Sequence, residues 1–547
     1  MYTGRFSVGV DLLQWNAEWR QEAGLLYYLQ DINLGTSDGY AATYSSAYKT
    51  MYISTLFDER PVTAGQLADG SIVLDPTHRY RLVASSHEGY THLFQLFDKA
   101  QPDAPWASVI AYDNTYSAGV CGLLVFQQSY PSDTMGAEAT FDNYFAGVPP
   151  AGTMAATITD LSPPPAGRAT AIYPTITVGI LDRDTAVDTT SIVLCLDGTW
   201  IPNSALTIDP QVHKPDNPGG SFKDFSGATV SYTVSTVFPW GSGHTNLVAF
   251  KDSANTWFTN RWTWTSAYPF LFASNSLPIG SLSVRGFDVR MVQSDNGGVN
   301  LDNSLERALL QLASPPQIPV DRAATSLVQT LDWDKTLEPP SNVPGLCAGS
   351  YRNIALEAYA YLELKAGVHR FHIVTDDGAG LYSGNRLTDP HPQVLWQKSS
   401  SVANTTFEFV VEADGLYPVR CLWQETGGAA NLHLWSVNLA DASEVLVNDP
   451  ANPEGVVKAW YPLVCLSAPS VTGPYAVDAA AVNVLQTTDL VAADCAPTVV
   501  GQMVTGGKFT VPVADTARFY RLDGPRQTRI TRIVKAGSSI EISYQVN

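Results

Sequence analysis

Charged residues are scarce in this sequence, and most of them are acidic. Asp, Glu, Lys and Arg make up 15% of the 547 residues, and 52 acidic side chains outnumber 32 basic ones. A nucleic-acid backbone or an anionic lipid surface needs a basic partner face, so this balance argues against both as partners. No apolar run approaches the roughly 20 residues of a membrane-spanning helix, and we therefore expect no membrane span.

Cysteine is also scarce, and its spacing excludes the common zinc motifs. The six cysteines are spread thinly, with no CxxC pair and no Cys/His cluster. Cys347 lies in the same predicted region as Cys421, and Cys465 in the same region as Cys495. Either pair could form a disulfide, and the sequence leaves that connectivity open.

Helical periodicity is rare, whereas glycine, proline, serine, threonine and aromatic residues are plentiful. This profile is typical of a secreted or surface all-β protein. The length exceeds what one hydrophobic core can support, so we expect several domains in series, each a β-sandwich or jelly roll. Residues 1–6 lack the apolar core of a signal peptide. If the protein is extracellular, we expect a removed leader or a longer parent chain.

One short helix is predicted near residues 303–313. Asn303 and Glu306 have capping-box spacing, and Pro315 with Pro316 ends the segment. An apolar stripe with i, i+3, i+4, i+7 spacing gives the expected buried face: Leu305, Ala308, Leu309 and Leu312.

Residues 1–150 and 151–270 are predicted to be two separate β domains. Residues 95–98, 112–119 and 139–145 make the first resemble a concanavalin-like or laminin-G-like jelly roll. Some members of that broad fold are glycosidases, but their E-x-D-x-E strand is missing here. The second, with alternating strands at 175–181 and 191–198, resembles a bacterial immunoglobulin-like domain without the Cys…Trp…Cys core of antibodies.

Residues 271–460 hold the strongest local motif, Asp376-Asp377-Gly378, at the end of an alternating strand. With residues 414–418 and the Gly427-Gly428 turn, it makes residues 340–450 resemble a protective-antigen-type (PA14) β-sandwich, the family that includes yeast flocculin lectin domains. In its sugar-binding members the paired aspartates hold calcium, which coordinates sugar hydroxyls.

That role maps onto Asp376 and Asp377 as metal ligands, with calcium as the implied cofactor. The family's further asparagine ligand and specificity loop have no clear match. Asn431 is the candidate for a further carbohydrate-binding residue, and Trp423 is the candidate stacking surface. Many domains of this fold bind no sugar, so the alternative is that Asp-Asp-Gly is simply a structural turn.

Residues 461–547 are predicted to form a small C-terminal β domain that ends in two alternating strands, 528–534 and 539–546. Long strands at a chain end present an edge that can pair with a neighbouring subunit. The predicted assembly residues are Ile530, Ile533, Ile540, Ile542 and Tyr544. The alternative is a hairpin around Gly537 that closes its own domain.

The leading hypothesis is therefore a non-catalytic extracellular or cell-surface structural protein that self-associates into a filament or array. One alternative is a calcium-dependent adhesin that binds a cell-surface or extracellular polysaccharide. A further alternative is a polysaccharide-degrading enzyme component whose catalytic residues the sequence does not reveal.

Overall fold

The computed structural model describes residues 2–33, 35–87, 90–127, 136–148, 156–182, 185–213, 225–294, 298–334, 343–346, 352–428, 430–452, 457–491, 499–513 and 518–547. Within these ranges strands dominate and one α-helix is present, which confirms the predicted all-β class with one short helix. The chain forms two compact units, Met1–Ala267 (unit 1) and Tyr268–Asn547 (unit 2). In the described ranges, no helix is both long and apolar enough to span a membrane.

The first part of unit 1 consists of two antiparallel sheets around one core. Its strands are β1 (Tyr2–Thr3), β2 (Phe6–Trp15), β3 (Gln21–Gln30), β4 (Asp38–Ser45), β5 (Thr50–Phe57), β6 (Arg60–Ser71), β7 (Tyr80–His87), β8 (Thr91–Asp98), β9 (Ala107–Tyr112), β10 (Ala118–Gln127) and β11 (Ala139–Gly147). The sheet orders are β1-β10-β3-β4-β5-β6 and β11-β2-β7-β8-β9. Alternate residues of β2, from Phe6 to Leu12, fill the core between the two sheets.

The second part of unit 1 has its own core between two further sheets. Its strands are β12 (Thr157–Ser162), β13 (Arg168–Ala169), β14 (Thr175–Asp182), β15 (Val187–Leu196), β16 (Thr199–Ile201), β17 (Thr207–His213), β18 (Phe225–Thr233), β19 (Gly243–Asp252) and β20 (Trp257–Ser266). The orders are β12-β14-β18-β17 and β13-β20-β19-β15-β16. Trp262 and Trp264 of β20 are buried in this core. The jelly-roll and immunoglobulin-like assignments of these two parts stay predictions.

Unit 2 begins with two sheets packed face to face around the largest core. Its strands are β21 (Phe270–Leu271), β22 (Phe287–Gln293), β23 (Arg322–Val328), β24 (Asp332–Asp334), β25 (Ile354–Leu364), β26 (Gly367–Asp376), β27 (Gly378–Ser383), β28 (Gln393–Lys398), β29 (Ala403–Val411), β30 (Gly415–Glu425), β31 (Asn431–Val437), β32 (Glu444–Leu446) and β33 (Lys458–Trp460). The front sheet has the order β21-β29-β26-β31-β24, and the back sheet begins β28-β27-β30-β25-β22-β23.

The helix α1 (Leu305–Leu312) covers the outer side of the back sheet. Its N-cap is Ser304, whose hydroxyl accepts the Arg307 N–H at 3.2 Å, and not Asn303 as the sequence suggested. The predicted stripe is also wrong at one position, because Leu309 is 43% exposed while Arg307 and Gln311 are buried. Both buried polar side chains donate to backbone carbonyls of the β25 region, and this satisfies them at the helix–sheet interface.

The C-terminal region has a core of its own. Its strands are β34 (Val464–Ala468), β35 (Ala476–Val477), β36 (Val482–Val491), β37 (Val499–Pro512), β38 (Phe519–Asp523), β39 (Thr528–Ala536) and β40 (Ser539–Val546). Four of these strands continue the back sheet, and the other three, β34, β35 and β38, form a separate sheet. β23 meets β37 at Leu327 and Gln502, and β40 and β39 follow as the last strands. The division of the chain into four domains stays a prediction. Both proposed disulfides involve a cysteine, Cys347 or Cys495, outside the described residues.

Candidate metal centre

Two aspartates lie where the chain crosses from one sheet of unit 2 to the other. Asp376 is the last residue of β26 in the front sheet, and Gly378 is the first residue of β27 in the back sheet. Asp377 alone connects them, and the Asp376–Asp377 peptide bond is cis. A Cβ on Gly378 would lie 2.2 Å from the Ser399 carbonyl oxygen, so this position accepts only glycine. The crossing therefore holds both carboxylates at one edge of the sandwich.

A third carboxylate joins them. Glu425 ends β30, which pairs with β27 so that Gln424 lies opposite Gly378. One carboxylate oxygen from each of Asp376, Asp377 and Glu425 lies within 4.8 Å of the others. At that separation, two unit charges repel by about 3 kcal/mol at an effective dielectric constant of about 20. We call these three residues the acidic cluster; a cation beside it would reduce this repulsion.

Hydrogen bonds fix the acidic cluster in place. The Oδ2 atom of Asp377 accepts the N–H of Thr426 at 3.0 Å and its hydroxyl at 2.5 Å. Glu425 Oε1 accepts the Gly427 N–H at 2.5 Å. The Trp423 indole N–H donates to the Asp376 carbonyl oxygen at 3.1 Å. The turn after β30 therefore orients two carboxylates, and a buried indole anchors the backbone of the third.

Arg307 is a buried cation whose charge interacts with two members of the cluster, Asp377 and Glu425. Its guanidinium donates to the carbonyl oxygens of Asp302 and Ile354, each at 3.0 Å, and to the side chain of Gln424. Burial lowers the pKa of Arg307 to about 10, against the opposing influence of Asp377 and Glu425. It is therefore charged at neutral pH. The hydrogen bonds that its guanidinium donates go to neutral oxygens, so Arg307 acts on the carboxylates through its charge and forms no salt bridge with them.

Asn431 supplies an amide oxygen beside the cluster. It is the first residue of β31 and lies directly opposite Asp376 on the neighbouring strand. Its Oδ1 atom is buried and accepts no hydrogen bond from any described residue. An unfilled buried acceptor costs about 1–3 kcal/mol. Carboxylate and amide oxygens are the ligands that calcium prefers, so the residues present fit this ion.

An aromatic row continues from Asn431 along the outer face of the front sheet. His433 and Trp435 follow Asn431 at alternate positions of β31, and their rings stack with centroids 5.1 Å apart. The ring of His372, from β26, stacks on Trp435 at the same distance. Asp332 approaches the Nδ1 atom of His433 at 2.7 Å. The candidate centre thus adjoins a surface of ring edges and hydrogen-bonding groups.

The predicted site residues have different positions in the structure. Asp376, Asp377 and Asn431 come together, as the sequence suggested. Trp423 is 0% exposed and packs in the core, so it offers no ring face to a sugar and acts on the site only through Asp376. Glu425 was missed, although its position just before the Gly427-Gly428 turn places an acid beside the motif already identified.

The predicted assembly residues are divided between the core and the surface. Ile542 and Tyr544 are fully buried, and Ile530 and Ile540 pack partly against the same C-terminal core. In the folded unit, Ile542 and Tyr544 therefore cannot contact a neighbouring molecule. Ile533 is 52% exposed. A direct contact with a neighbouring molecule through Ile530, Ile533 or Ile540 stays a prediction.

Solved structures similar to this chain include adhesin domains. A PA14 sugar-binding domain from an RTX adhesin is 17% identical; the match covers 30% of this chain and 95% of that one, with a TM-score of 0.23. The epithelial adhesin 9 A domain of Candida glabrata, in complex with Galb1-4GlcNAc, is 13% identical over 34% of this chain and 94% of its own, with a TM-score of 0.26.

An anti-sigma factor domain-containing protein from Clostridium clariflavum is 13% identical over 50% of this chain and 82% of its own, with a TM-score of 0.21. No family model and no curated protein matches the chain. With identities and TM-scores this low, the similarities carry no argument about function. The function is therefore inferred from the atoms of the candidate centre.

Proposed function

We propose that this chain is a calcium-dependent glycan-binding protein of the cell surface or extracellular space. The observation that supports this most is the acidic cluster beside the unfilled amide oxygen of Asn431. The three carboxylates lie within 4.8 Å of one another at the edge of the sandwich, so their negative charges repel. A divalent cation removes that repulsion and also fills the open acceptor.

Asp376, Asp377, Glu425 and Asn431 are the residues that would hold the ion. When bound, calcium would supply positive charge and open coordination positions for hydroxyl oxygens, since it takes 6–8 oxygen ligands. Thr426 and Gly427 keep two of the carboxylates oriented by donating to them. Trp423 positions Asp376 from inside the core. These contacts preorganise the centre, which lowers the entropy lost on binding.

A sugar is the ligand class that suits this location. Asp376 and Asp377 are only partly buried, so a ligand on the ion would remain at the surface. The adjoining ring edges of His433 and Trp435 add polar and apolar contacts of the kind that a sugar ring uses. The PA14-type resemblance of residues 340–450 led to the same expectation from the sequence.

The test is a glycan array with the purified chain, in calcium and in chelator, with two variants. Asp377→Asn removes one charge but keeps an oxygen for the Thr426 bonds. Asp441→Asn is the matched control, because Asp441 also accepts an N–H and a hydroxyl from one residue, Ser443, at an exposed turn. We expect glycan binding in calcium for the native chain and the control, with at least a tenfold loss in Asp377→Asn and in chelator.

Binding that persists in chelator, or that Asp377→Asn leaves unchanged, would contradict the proposal. The hypotheses of a structural filament and of a polysaccharide-degrading component stay predictions. The filament hypothesis gains support if no glycan binds and the chain self-associates. The hypothesis of a degrading component requires activity on a polysaccharide.

A further inference from the structure

The last strand pair carries a local excess of positive charge within an acidic chain. Residues 518–547 contain six Lys and Arg residues and two acidic ones, whereas the whole chain has 32 and 52. Three of these cations pair with acids: Arg518 with Asp478, Arg521 with Asp523, and Arg526 with Asp288. The other three lie on β39.

These three, Arg529, Arg532 and Lys535, form no salt bridge with any described side chain. They are exposed along β39, which pairs only with β40 among the described strands and so has one open backbone edge. Between them lies Ile533, which is 52% exposed. We call these four residues the basic edge. An open edge with unpaired charges and an exposed apolar side chain has the features of an interaction surface.

Unit 1 carries a surface of the opposite sign. Asp38, Asp58 and Glu59 lie together, because Asp38 Oδ1 accepts the Asp58 N–H at 3.0 Å and Ser37 O accepts the Glu59 N–H at 2.9 Å. Asp31 lies beside them, because it directly follows Gln30, which pairs with Asp38. None of these four acids forms a salt bridge with a described side chain.

The potential at this surface is negative, and it affects a neighbouring tyrosine. Burial, together with the charges of Asp38, Asp113 and Asp31, raises the pKa of the Tyr116 hydroxyl. Two apolar side chains are exposed beside the acids: Ile32 at 60% and Phe57 at 55%. We call Asp31, Asp38, Asp58, Glu59, Ile32 and Phe57 the acidic patch. It has apolar side chains flanked by unpaired charges, as the basic edge does.

We propose that the basic edge of one molecule binds the acidic patch of a second molecule of this chain. Opposite charges attract across such a contact, whereas two basic edges or two acidic patches repel each other. Ile533 would pack against Ile32 and Phe57 at the centre, with the ionic groups around them. Because the contact joins two different surfaces, it leaves one of each free, and association can continue into a closed ring or an open chain of subunits.

The proposal does not depend on the glycan site, since none of its residues belongs to the acidic cluster. Self-association is therefore expected to be unchanged in chelator and in Asp377→Asn. Its ionic part is screened by salt, because the Debye length falls from about 10 Å at 0.1 M to about 3 Å at 1 M. If self-association weakens at high salt and does not change with calcium, it arises from this contact and not from one that the metal centre mediates.

The experiment is sedimentation velocity of the full chain over a concentration series, with charge-swap variants. Arg529→Glu with Arg532→Glu reverses the basic edge, and Asp31→Lys with Glu59→Lys reverses the acidic patch. The control, Arg386→Glu with Lys398→Glu, changes the charge of unit 2 equally at exposed positions elsewhere. We expect each swap to weaken self-association at least about tenfold, the control to have no effect, and a mixture of the two swapped chains to associate again.

Circular dichroism and melting curves of the swapped chains test whether they are folded. A native chain that stays monomeric at low salt would overturn the proposal. So would swaps that leave association unchanged, or a mixture that fails to restore it. If the basic-edge swap instead abolishes binding of an anionic polysaccharide while the native chain stays monomeric, the partner is that polymer and the proposal is wrong.

Discussion

Asp377→Asn is expected to change stability in opposite directions with and without calcium. Without the ion, the substitution removes repulsion from Asp376 and Glu425, each pair worth about 3 kcal/mol at an effective dielectric constant of about 20. Partial exposure of the aspartates and the lost attraction of Arg307 reduce this gain. We therefore expect the calcium-free variant to be more stable than the native chain by about 1 kcal/mol.

With calcium the order reverses. If the centre binds as extracellular calcium modules do, with a Kd of about 10⁻⁴–10⁻³ M, then about 10 mM calcium stabilises the native fold by about 1.4–2.7 kcal/mol. For unit 2, with about 280 residues, that raises the Tm by about 2–5 °C. Asp377→Asn should lose most of this increase, whereas Asp441→Asn should keep it.

Differential scanning calorimetry of the full chain in calcium and in chelator measures both effects. The diagnostic quantity is the calcium-induced change in Tm of the transition of unit 2. The acidic cluster is not a calcium site if the native chain gains less than about 1 °C, or if Asp377→Asn gains as much as Asp441→Asn. Magnesium at equal concentration should stabilise less, because it demands near-octahedral geometry and keeps its waters.

Three further effects are expected from buried groups. Trp423→Phe leaves the Asp376 carbonyl without its donor and opens a small cavity, so it should lower the free energy of unfolding by about 2 kcal/mol and weaken calcium binding. Trp200→Phe, at an exposed position, should change neither quantity. Urea titration with and without calcium measures both, and equal effects of the two variants would refute the role of Trp423. Asp288→Asn leaves Arg526 buried without its ion pair and should lower the free energy of unfolding by about 3 kcal/mol. Adding Arg526→Met should recover part of that loss, and a double variant no more stable than the single one would contradict this explanation. Burial lowers the pKa of His92 from 6.5 to about 4, so as the pH falls the imidazole is protonated in the unfolded chain before it is protonated in the folded one. The free energy of unfolding of unit 1 should therefore be unaffected by His92 above pH 6.5 and fall by up to about 3 kcal/mol as the pH drops to about 4. His92→Gln should flatten this pH dependence in urea titrations at each pH.

The sequence predicts the class of fold because alternation along each strand is a local property. Phe6 to Leu12 show the period of two that a strand with one buried face requires, and β2 has it. The helix follows from its own pattern as well. Its buried face was partly misassigned because Arg307 and Gln311 satisfy their polar groups at carbonyls of the sheet, which local spacing does not reveal.

The candidate site was predictable only where its residues are adjacent in the sequence. Asp376 and Asp377 form a visible motif, whereas Glu425 joins them through the register of β27 on β30, a long-range property. Trp423 was misplaced for a related reason. β30 is buried on both sides, by the core and by α1, so alternation along it does not distinguish a ring that faces a ligand from one in the interior.

The crossing of the chain at Asp377 has a mechanical consequence. One residue connects β26 of the front sheet to β27 of the back sheet, and the side chain of Asp377 is held by Thr426, just beyond β30. Asn431 and Asp376 belong to the front sheet, whereas Glu425 belongs to the back sheet. An ion held by all of these would bridge the two layers at their shared edge. A force that pulls the two layers apart would then act on the bonds between the ion and its ligands as well as on van der Waals contacts. The resistance of the sandwich to that force would therefore depend on the calcium concentration of the surrounding medium.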